Sequence, residues 1–147
     1  MYKHILIPTD GTVVAQKAVK SGIAFAKSVN AKVTFFTAVD EYRTPSASEV
    51  MSRRAVSPAQ HEAQARRKAE KILAPLRKRA AAASLECGSD FALNDRPYDA
   101  IIRAAMAHRC DLIFMASHGR RGIRKLVYGS QTQGVLTHST IPTLVYR

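Results

Sequence analysis

Residues 3–39 read KHILIPTDGTVVAQKAVKSGIAFAKSVNAKVTFFTAV, and this stretch decides the fold class. The short apolar segments at its two ends, residues 3–8 and 32–39, are predicted to be buried strands. Between them, apolar residues recur at spacings of three and four, namely Ala15, Val19, Gly22, Ala26 and Val29. That spacing is typical of one face of an amphipathic helix, with Asn30 as its stop. A strand, a helix and a second strand in such a short stretch form a βαβ unit, which favours a parallel sheet.

The rest of the chain continues this alternation of strands and helices. Helices are predicted over residues 58–83, from residue 97 onward and over 129–138, and strands over residues 85–93, 111–116 and 142–147. Pro58 and Pro97 suit helix starts, whereas Pro75 should kink the long helix or loosen one of its turns. Residues 40–57 contain Pro45 and four serines without a clear period, so we expect a loop there. The pattern predicts a three-layer α/β sandwich with five parallel strands and four helices, as a single domain over residues 1–147.

Composition excludes several classes of protein. With 46% hydrophobic and 23% charged residues, the sequence is neither disordered nor fibrous, and its 147 residues suit one domain. Cys87 and Cys110 are too few for a disulfide scaffold, and we interpret them as buried free thiols in a reducing compartment. No apolar run approaches the roughly 20 residues of a membrane span, and strand-like residues begin at His4 instead of a signal peptide. We therefore expect a soluble cytoplasmic protein.

The net charge of +12 is the one unusual bulk property. A cationic surface concentrates nucleotides, nucleic acids or acidic membranes near it, and composition alone does not choose among these anions. Residues 43–79 carry ten basic and three acidic side chains. That segment is consistent with a nucleic-acid face or with a solvated helix face. Because no aromatic side chain for base stacking lies between Tyr42 and Phe91, we expect only nonspecific binding to nucleic acid.

Two loops at strand ends contain residues suited to binding a ligand. In open parallel sheets, ligands bind beyond the carboxyl ends of the strands, where the strand order reverses. The first loop, Pro8-Thr9-Asp10-Gly11, follows the first strand. The second, residues 117–130, is rich in glycine and arginine and leads into a helix at Gly129-Ser130, where free amides attract phosphate. The alternative interpretation of this loop is a glycine turn and a capping serine among solvated arginines.

The second loop also resembles a known family signature. Residues 115–122 read Met-Ala-Ser-His-Gly-Arg-Arg-Gly, nine residues separate Gly119 from Gly129, and Ser130 follows. This resembles the signature of the universal stress protein family, whose ATP-binding branch carries Gly-x2-Gly-x9-Gly-[Ser/Thr]. Residues 5–10 (Ile-Leu-Ile-Pro-Thr-Asp), Val39-Asp40 and residues 141–145 (Ile-Pro-Thr-Leu-Val) are similar to the family as well. The resemblance covers essentially the whole chain and is weakest over residues 41–95.

The resemblance implies a fold of the adenine-nucleotide alpha-hydrolase-like type and a site for ATP with Mg²⁺ or Mn²⁺. It implies a nucleotide-responsive regulatory or stress-tolerance module with protein partners still to be identified, and a homodimer formed through the last strand, Thr143–Tyr146. The residues expected to contact the nucleotide are Pro8, Thr9, Asp10, Val39, Ala116, His118, Gly119, Gly122, Gly129, Ser130, Gln131 and Thr132. Among them the triphosphate falls on the second loop and helix start, the ribose near Thr9 and Asp10, and the adenine near Val39. Asp10 is also the candidate metal ligand.

Several alternatives stay open at this stage. Ala116 replaces the first signature glycine, which is costly if that position needs a positive φ and cheap if it needs only little bulk. Asp10 is suited to holding a metal or ribose hydroxyl, and equally to capping the following helix. A slow ATPase would have only Asp10 and His118 as candidate groups, so no catalytic residue is predicted. A stress protein of the non-nucleotide type, acting through protein contacts, is the remaining alternative.

Other kinds of chemistry have weaker support in the sequence. The cysteines and the five histidines show no metal-ligand spacing. Ser117 does not form a nucleophile elbow, because Met115 stands where that motif requires glycine. A Walker A motif is absent as well.

Overall fold

The βαβ unit predicted at the start of the chain is present in the computed structural model, which describes residues 1–117 and 129–147. Within these residues the elements in chain order are β1 His4–Pro8, α1 Val13–Ser28, β2 Lys32–Val39, α2 Ala47–Met51, α3 Pro58–Ala82, β3 Cys87–Leu93, α4 Pro97–Ala107, β4 Leu112–Ala116, α5 Ser130–His138 and β5 Thr143–Tyr146. The five predicted strands are all confirmed, with small changes at their ends.

The five strands form one parallel sheet in the order β3-β2-β1-β4-β5. Ile5 of the central strand β1 is in register with Val33 of β2 on one side and with Leu112 of β4 on the other. The chain therefore moves outward from β1 in both directions, and the strand order reverses between β1 and β4. Because all strands point the same way, the carboxyl ends of β1, β2 and β4 share one edge of the sheet.

Successive side chains of a strand point to opposite faces, and both faces of this sheet are covered. On one face α1 and α3 pack against Ile5, Ile7, Phe35 and Phe114 in one hydrophobic cluster. On the other face α4 and α5 pack against Leu6, Phe36 and Ile113 in a second cluster. This double burial explains why residues 5–7 of β1 and all residues of β4 are apolar instead of alternating with polar ones. The predicted three-layer sandwich is confirmed.

The expected number of helices was wrong. The described residues contain five helices, because the segment predicted as a loop holds the short helix α2. A capping box starts α2, in which the Ser46 side chain accepts from the Glu49 amide and the Glu49 carboxylate accepts from the Ser46 amide. None of its five residues is buried. The helix therefore lacks the apolar period by which the others are recognised.

The long helix α3 begins at Pro58 as predicted, and it continues through Pro75 as a single element. Ser57, the last residue of the segment predicted as a loop, is its cap. Pro75 is exposed. The carbonyl that loses its intrahelical donor at this proline is therefore on the side of α3 that water can reach. Asn30, the predicted stop of α1, takes a left-handed φ of 55° just after that helix.

Two expectations based on composition can be compared with the structure. Both cysteines are free thiols, as expected. Cys110 is buried, but Cys87 is only half-buried, so the expectation of burial was wrong for Cys87. Across the described residues, no helix combines the length and apolar character that crossing a bilayer requires.

Candidate functional site

The turn after β1 is held in place by hydrogen bonds at short range. The Thr9 amide donates to the Phe36 carbonyl of β2 at 2.8 Å, and the Thr9 hydroxyl accepts from the Gly11 amide at 3.2 Å. Gly11 has a φ of +78°, a conformation that glycine adopts without strain. This turn carries Asp10 from the end of the sheet to the first turn of α1.

Asp10 supports the cap of α1 and is not the cap itself. Thr12 is the capping residue, and its side chain accepts from the Ala15 amide. One carboxylate oxygen of Asp10 accepts from the Thr12 amide at 2.9 Å and from the Thr12 hydroxyl at 2.7 Å. The interpretation of Asp10 as the helix cap was therefore wrong by two residues. Its other oxygen, Oδ2, has no hydrogen-bond partner among the residues that the structure describes.

The start of α5 is fastened to the end of β4. The Gly129 amide donates to the Ser117 carbonyl at 2.9 Å, and the Thr132 hydroxyl donates to the carbonyls of Ala116 and Ser117 at 3.0 and 3.3 Å. Ser117 in turn donates its amide to the Tyr146 carbonyl at the end of β5. Thr132 is only 3% exposed, and its hydroxyl is bonded to these two carbonyls, so it is not available to a ligand.

The amino end of α5 has no side-chain cap. Its capping residue is Gly129, which has no side chain to accept a bond, and the first turn contains no acidic residue. First-turn amides have no intrahelical acceptor, and the helix dipole makes this end positive. Ser130 is exposed there. The arrangement can therefore accept an anion such as phosphate.

Gln131 has a structural contact that the sequence did not indicate. Its side-chain oxygen accepts from the Tyr98 amide at 2.8 Å, in the first turn of α4. The Gln131 side chain thus joins the amino ends of α4 and α5, both at the carboxyl edge of the sheet. Its amide nitrogen also lies 3.5 Å from the Ser130 hydroxyl.

Ala116, at the first signature position, is the last residue of β4 and pairs with Tyr146. It is not among the described non-glycine residues with positive φ. The alanine methyl therefore imposes no backbone strain there, and only its bulk remains to affect a ligand.

Val39 ends β2 at the same edge as β1 and β4. It is 6% exposed, and its carbonyl accepts from the Asn94 amide at 2.8 Å. Little of the Val39 side chain is left uncovered for contact with a base.

The structure thus brings Pro8, Thr9, Asp10, Val39, Ala116, Gly129, Ser130, Gln131 and Thr132 to one edge of the sheet. The other three predicted contacts, His118, Gly119 and Gly122, lie outside the described residues. Within the described ranges, no group of three or more His, Cys, Asp or Glu residues is arranged to hold a metal ion. Asp10 can supply one carboxylate oxygen, Oδ2. A single carboxylate is compatible with Mg²⁺, because proteins usually hold that ion by one or two carboxylates together with phosphate oxygens and water.

The fold and the proteins of similar sequence agree with each other. A universal stress protein of Methanocaldococcus jannaschii is 27% identical over 147 residues, covering 100% of this chain and 83% of its own length. One of Thermus aquaticus is 29% identical over 151 residues, covering 100% of both chains. Among solved structures, universal stress protein UspA of Lactobacillus plantarum has a TM-score of 0.80 at 20% identity, covering 99% of this chain and 98% of its own.

Other solved structures of similar fold contain adenine nucleotides. One is a universal stress protein in complex with cAMP, with a TM-score of 0.70 at 20% identity, covering 99% of this chain and 97% of its own. Another, from Archaeoglobus fulgidus, is in complex with dAMP, with a TM-score of 0.68 at 14% identity, covering 99% of this chain and 98% of its own. At such identities the likeness shows the fold alone.

The model of the universal stress protein family matches this sequence over residues 1–147. The match spans the whole chain, including the end of β1 and the start of α5. The chain therefore belongs to the universal stress protein family.

Proposed function

We propose that the protein binds an adenine nucleotide, ATP with Mg²⁺, where β1, β4 and α5 meet, and that it acts as a nucleotide-responsive regulatory module. The observation that carries the proposal is the uncapped amino end of α5, fastened to β4 next to the Asp10 turn on the neighbouring strand. This places positive backbone dipoles and a carboxylate oxygen at one sheet edge. The cAMP and dAMP complexes of structures with the same fold support the choice of ligand.

In this proposal the first-turn amides of α5 and the Ser130 hydroxyl bind phosphate oxygens. The Oδ2 atom of Asp10 binds either the metal ion or a ribose hydroxyl, because its Oδ1 atom is already occupied by Thr12. The adenine lies near the end of β2, where Val39, 6% exposed, offers it little side-chain contact. Thr132 does not contact the nucleotide. It holds α5 in place, since its hydroxyl is bonded to the carbonyls of Ala116 and Ser117. His118, Gly119 and Gly122 complete the proposed phosphate loop.

Thermal unfolding with added nucleotide tests this proposal. A ligand at about 100 times its Kd stabilises the folded state by about 2.7 kcal/mol. For a domain of this size that should raise the Tm by about 5 °C or more. We expect this rise with Mg-ATP and a smaller one or none with GTP or inorganic phosphate.

Substitutions locate the site, with a matched control. Ser130→Ala and Asp10→Asn should reduce the rise, whereas Ser28→Ala, an exposed serine at the opposite end of α1, should leave it unchanged. The proposal is wrong if no adenine nucleotide raises the Tm and mass spectrometry finds no nucleotide released from the denatured purified protein. It is also wrong in its placement if Ser130→Ala and Ser28→Ala behave alike.

We also propose a homodimer formed through β5, Thr143–Tyr146. β5 is an edge strand that pairs with β4 on one side, and an edge strand presents unpaired backbone groups to a partner. Sedimentation equilibrium of the full chain should give twice its mass of 16.1 kDa. A monomer at micromolar concentration would contradict the dimer without affecting the nucleotide site.

A further inference from the structure

A shallow depression lies between α1 and α3, and none of the residues that line it is a predicted nucleotide contact. Its volume is about 480 Å³, and it is lined by Val13, Gln16, Lys17, Lys20 and Arg79. The four residues from α1 are at positions i, i+3, i+4 and i+7, so they form one exposed stripe along that helix. Val13 is 73% exposed. The depression therefore combines an uncovered apolar side chain with three cationic ones.

The three cations have no ion-pair partner within the part of the chain that the structure describes. α1 contains no acidic residue, and α3 contains none after Glu70. Glu70 is paired with Arg77, which also bonds Ser89 and so faces β3. Arg79 lies two residues further along α3, about 200° around the helix, on the side towards α1. The acidic group nearest on α3 is thus directed away from the depression.

The cationic side chains and the lining of the depression indicate which kind of partner it can bind. A second copy of this chain is a poor source of carboxylates for the three cations, because it has 11 acidic against 23 basic residues. The dimer proposed through β5 pairs backbone groups of an edge strand and does not use this surface. No aromatic residue lines the depression, so it has no platform for stacked bases. An acidic segment of another protein suits the depression better. It supplies carboxylates that can pair with the three cations and an apolar side chain that can pack against Val13.

We propose that this α1–α3 depression binds an acidic helical segment of a partner protein. Lys17 and Lys20 are three residues apart on α1, so their positions differ by about 4.5 Å along its axis. Acidic residues three or four apart on a partner helix are similarly spaced and can contact both lysines. Arg79 binds a further carboxylate from the opposite side, and Val13 packs against an apolar residue at the end of the segment.

Fluorescence anisotropy with a designed probe tests the proposal on the full-length protein. The probe is a labelled alanine-based peptide of about 14 residues, long enough to form some helix, with one leucine and glutamates three residues apart. The same peptide with glutamine in place of every glutamate is the control ligand. A labelled single-stranded oligonucleotide of similar length tests for nucleic acid. We expect binding of the glutamate peptide at low salt and none of the glutamine peptide.

Two charge-matched variants decide whether the depression is the site. K17Q/K20Q/R79Q and R67Q/K71Q/K78Q both lower the net charge from +12 to +9, and the second set consists of exposed residues of α3 that do not line the depression. We expect the first variant to weaken peptide binding about tenfold and the second to change it less than about threefold. Equal weakening by both variants, equal binding of both peptides, absence of binding, or tighter binding of the oligonucleotide than of the peptide would each overturn the proposal.

Discussion

Replacing Gly134 by alanine tests how closely α5 packs on α4. A Cβ atom at this position would lie 2.5 Å from Cγ and 2.8 Å from Cβ of Tyr98. Carbon atoms prefer separations of about 3.5–4.0 Å, so the two helices must separate by about 1 Å. Tyr98 cannot easily turn away, because its Cβ is fixed to the first turn of α4 and its ring stacks on His138 at 5.4 Å.

The expected loss of stability follows from two opposing effects. Overpacking of this kind costs about 1–3 kcal/mol, whereas alanine in place of glycine favours a helix by about 1 kcal/mol. The Gly134→Ala variant should therefore be less stable by about 1 kcal/mol, and by about 2 kcal/mol at most. For a domain of this length, each kcal/mol lowers the Tm by about 2–4 °C.

Thermal unfolding followed by circular dichroism measures this loss, with Gly88→Ala as the control. A Cβ atom at Gly88 would meet nothing within 4 Å, so that variant should stay within about 0.5 kcal/mol of the wild type. Since α5 begins at Ser130, the displacement in Gly134→Ala should also reduce the rise in Tm caused by Mg-ATP. A Gly134→Ala protein more stable than the wild type by about 1 kcal/mol, the gain expected from the helix preference of alanine alone, would refute the close approach of the two helices.

Three further predictions concern buried polar groups. Burial, and then the nearby Lys32, hold the pKa of His4 below its ordinary value of 6.5, so stability should fall as the pH drops through that value. Thermal melts between about pH 7.5 and pH 5.5 should show this fall, with a smaller slope in His4→Gln. Thr132→Val should lower the free energy of unfolding by about 1–3 kcal/mol, because the buried hydroxyl no longer donates to the carbonyls of Ala116 and Ser117. The exposed control Thr137→Val should have little effect in the same urea titration. Burial raises the pKa of Cys110 to about 12, so a thiol reagent should modify Cys87 alone in the folded protein and both cysteines after unfolding. Equal slopes, equal losses or equal labelling rates would contradict the respective prediction.

The elements that the sequence predicted are those whose signal lies within a few consecutive residues. Residues 5–7 of β1 and all of β4 are continuous apolar runs, and Pro58 and Pro97 mark helix starts directly. These boundaries were therefore confirmed to within a residue. α2 was missed because its residues are all exposed and it is recognisable only from the pairing of Ser46 with Glu49.

The contacts that fix the candidate site were harder to predict. The bond from the Tyr98 amide to Gln131 joins residues 33 positions apart, and no local pattern indicates it. Asp10 and Thr12 are both good capping residues two positions apart, and residue preferences alone do not say which of them caps α1. The Asp10-Thr12 hydrogen bonds decide the matter, because the carboxylate holds the threonine in the capping position.

The central position of β1 has a consequence for the order of folding. The Asp111 carboxylate accepts from the amides of Lys3 and His4, contacts that close loops of 108 and 107 residues. Closing such long loops lowers the entropy of the chain before the pairing of β4 with β1 can offset that loss. Contacts between residues so far apart in sequence therefore slow folding. The candidate site needs β4 and α5 in place, so it forms only after that closure. We therefore expect nucleotide to slow the unfolding of the finished domain and to leave the early steps of folding unchanged.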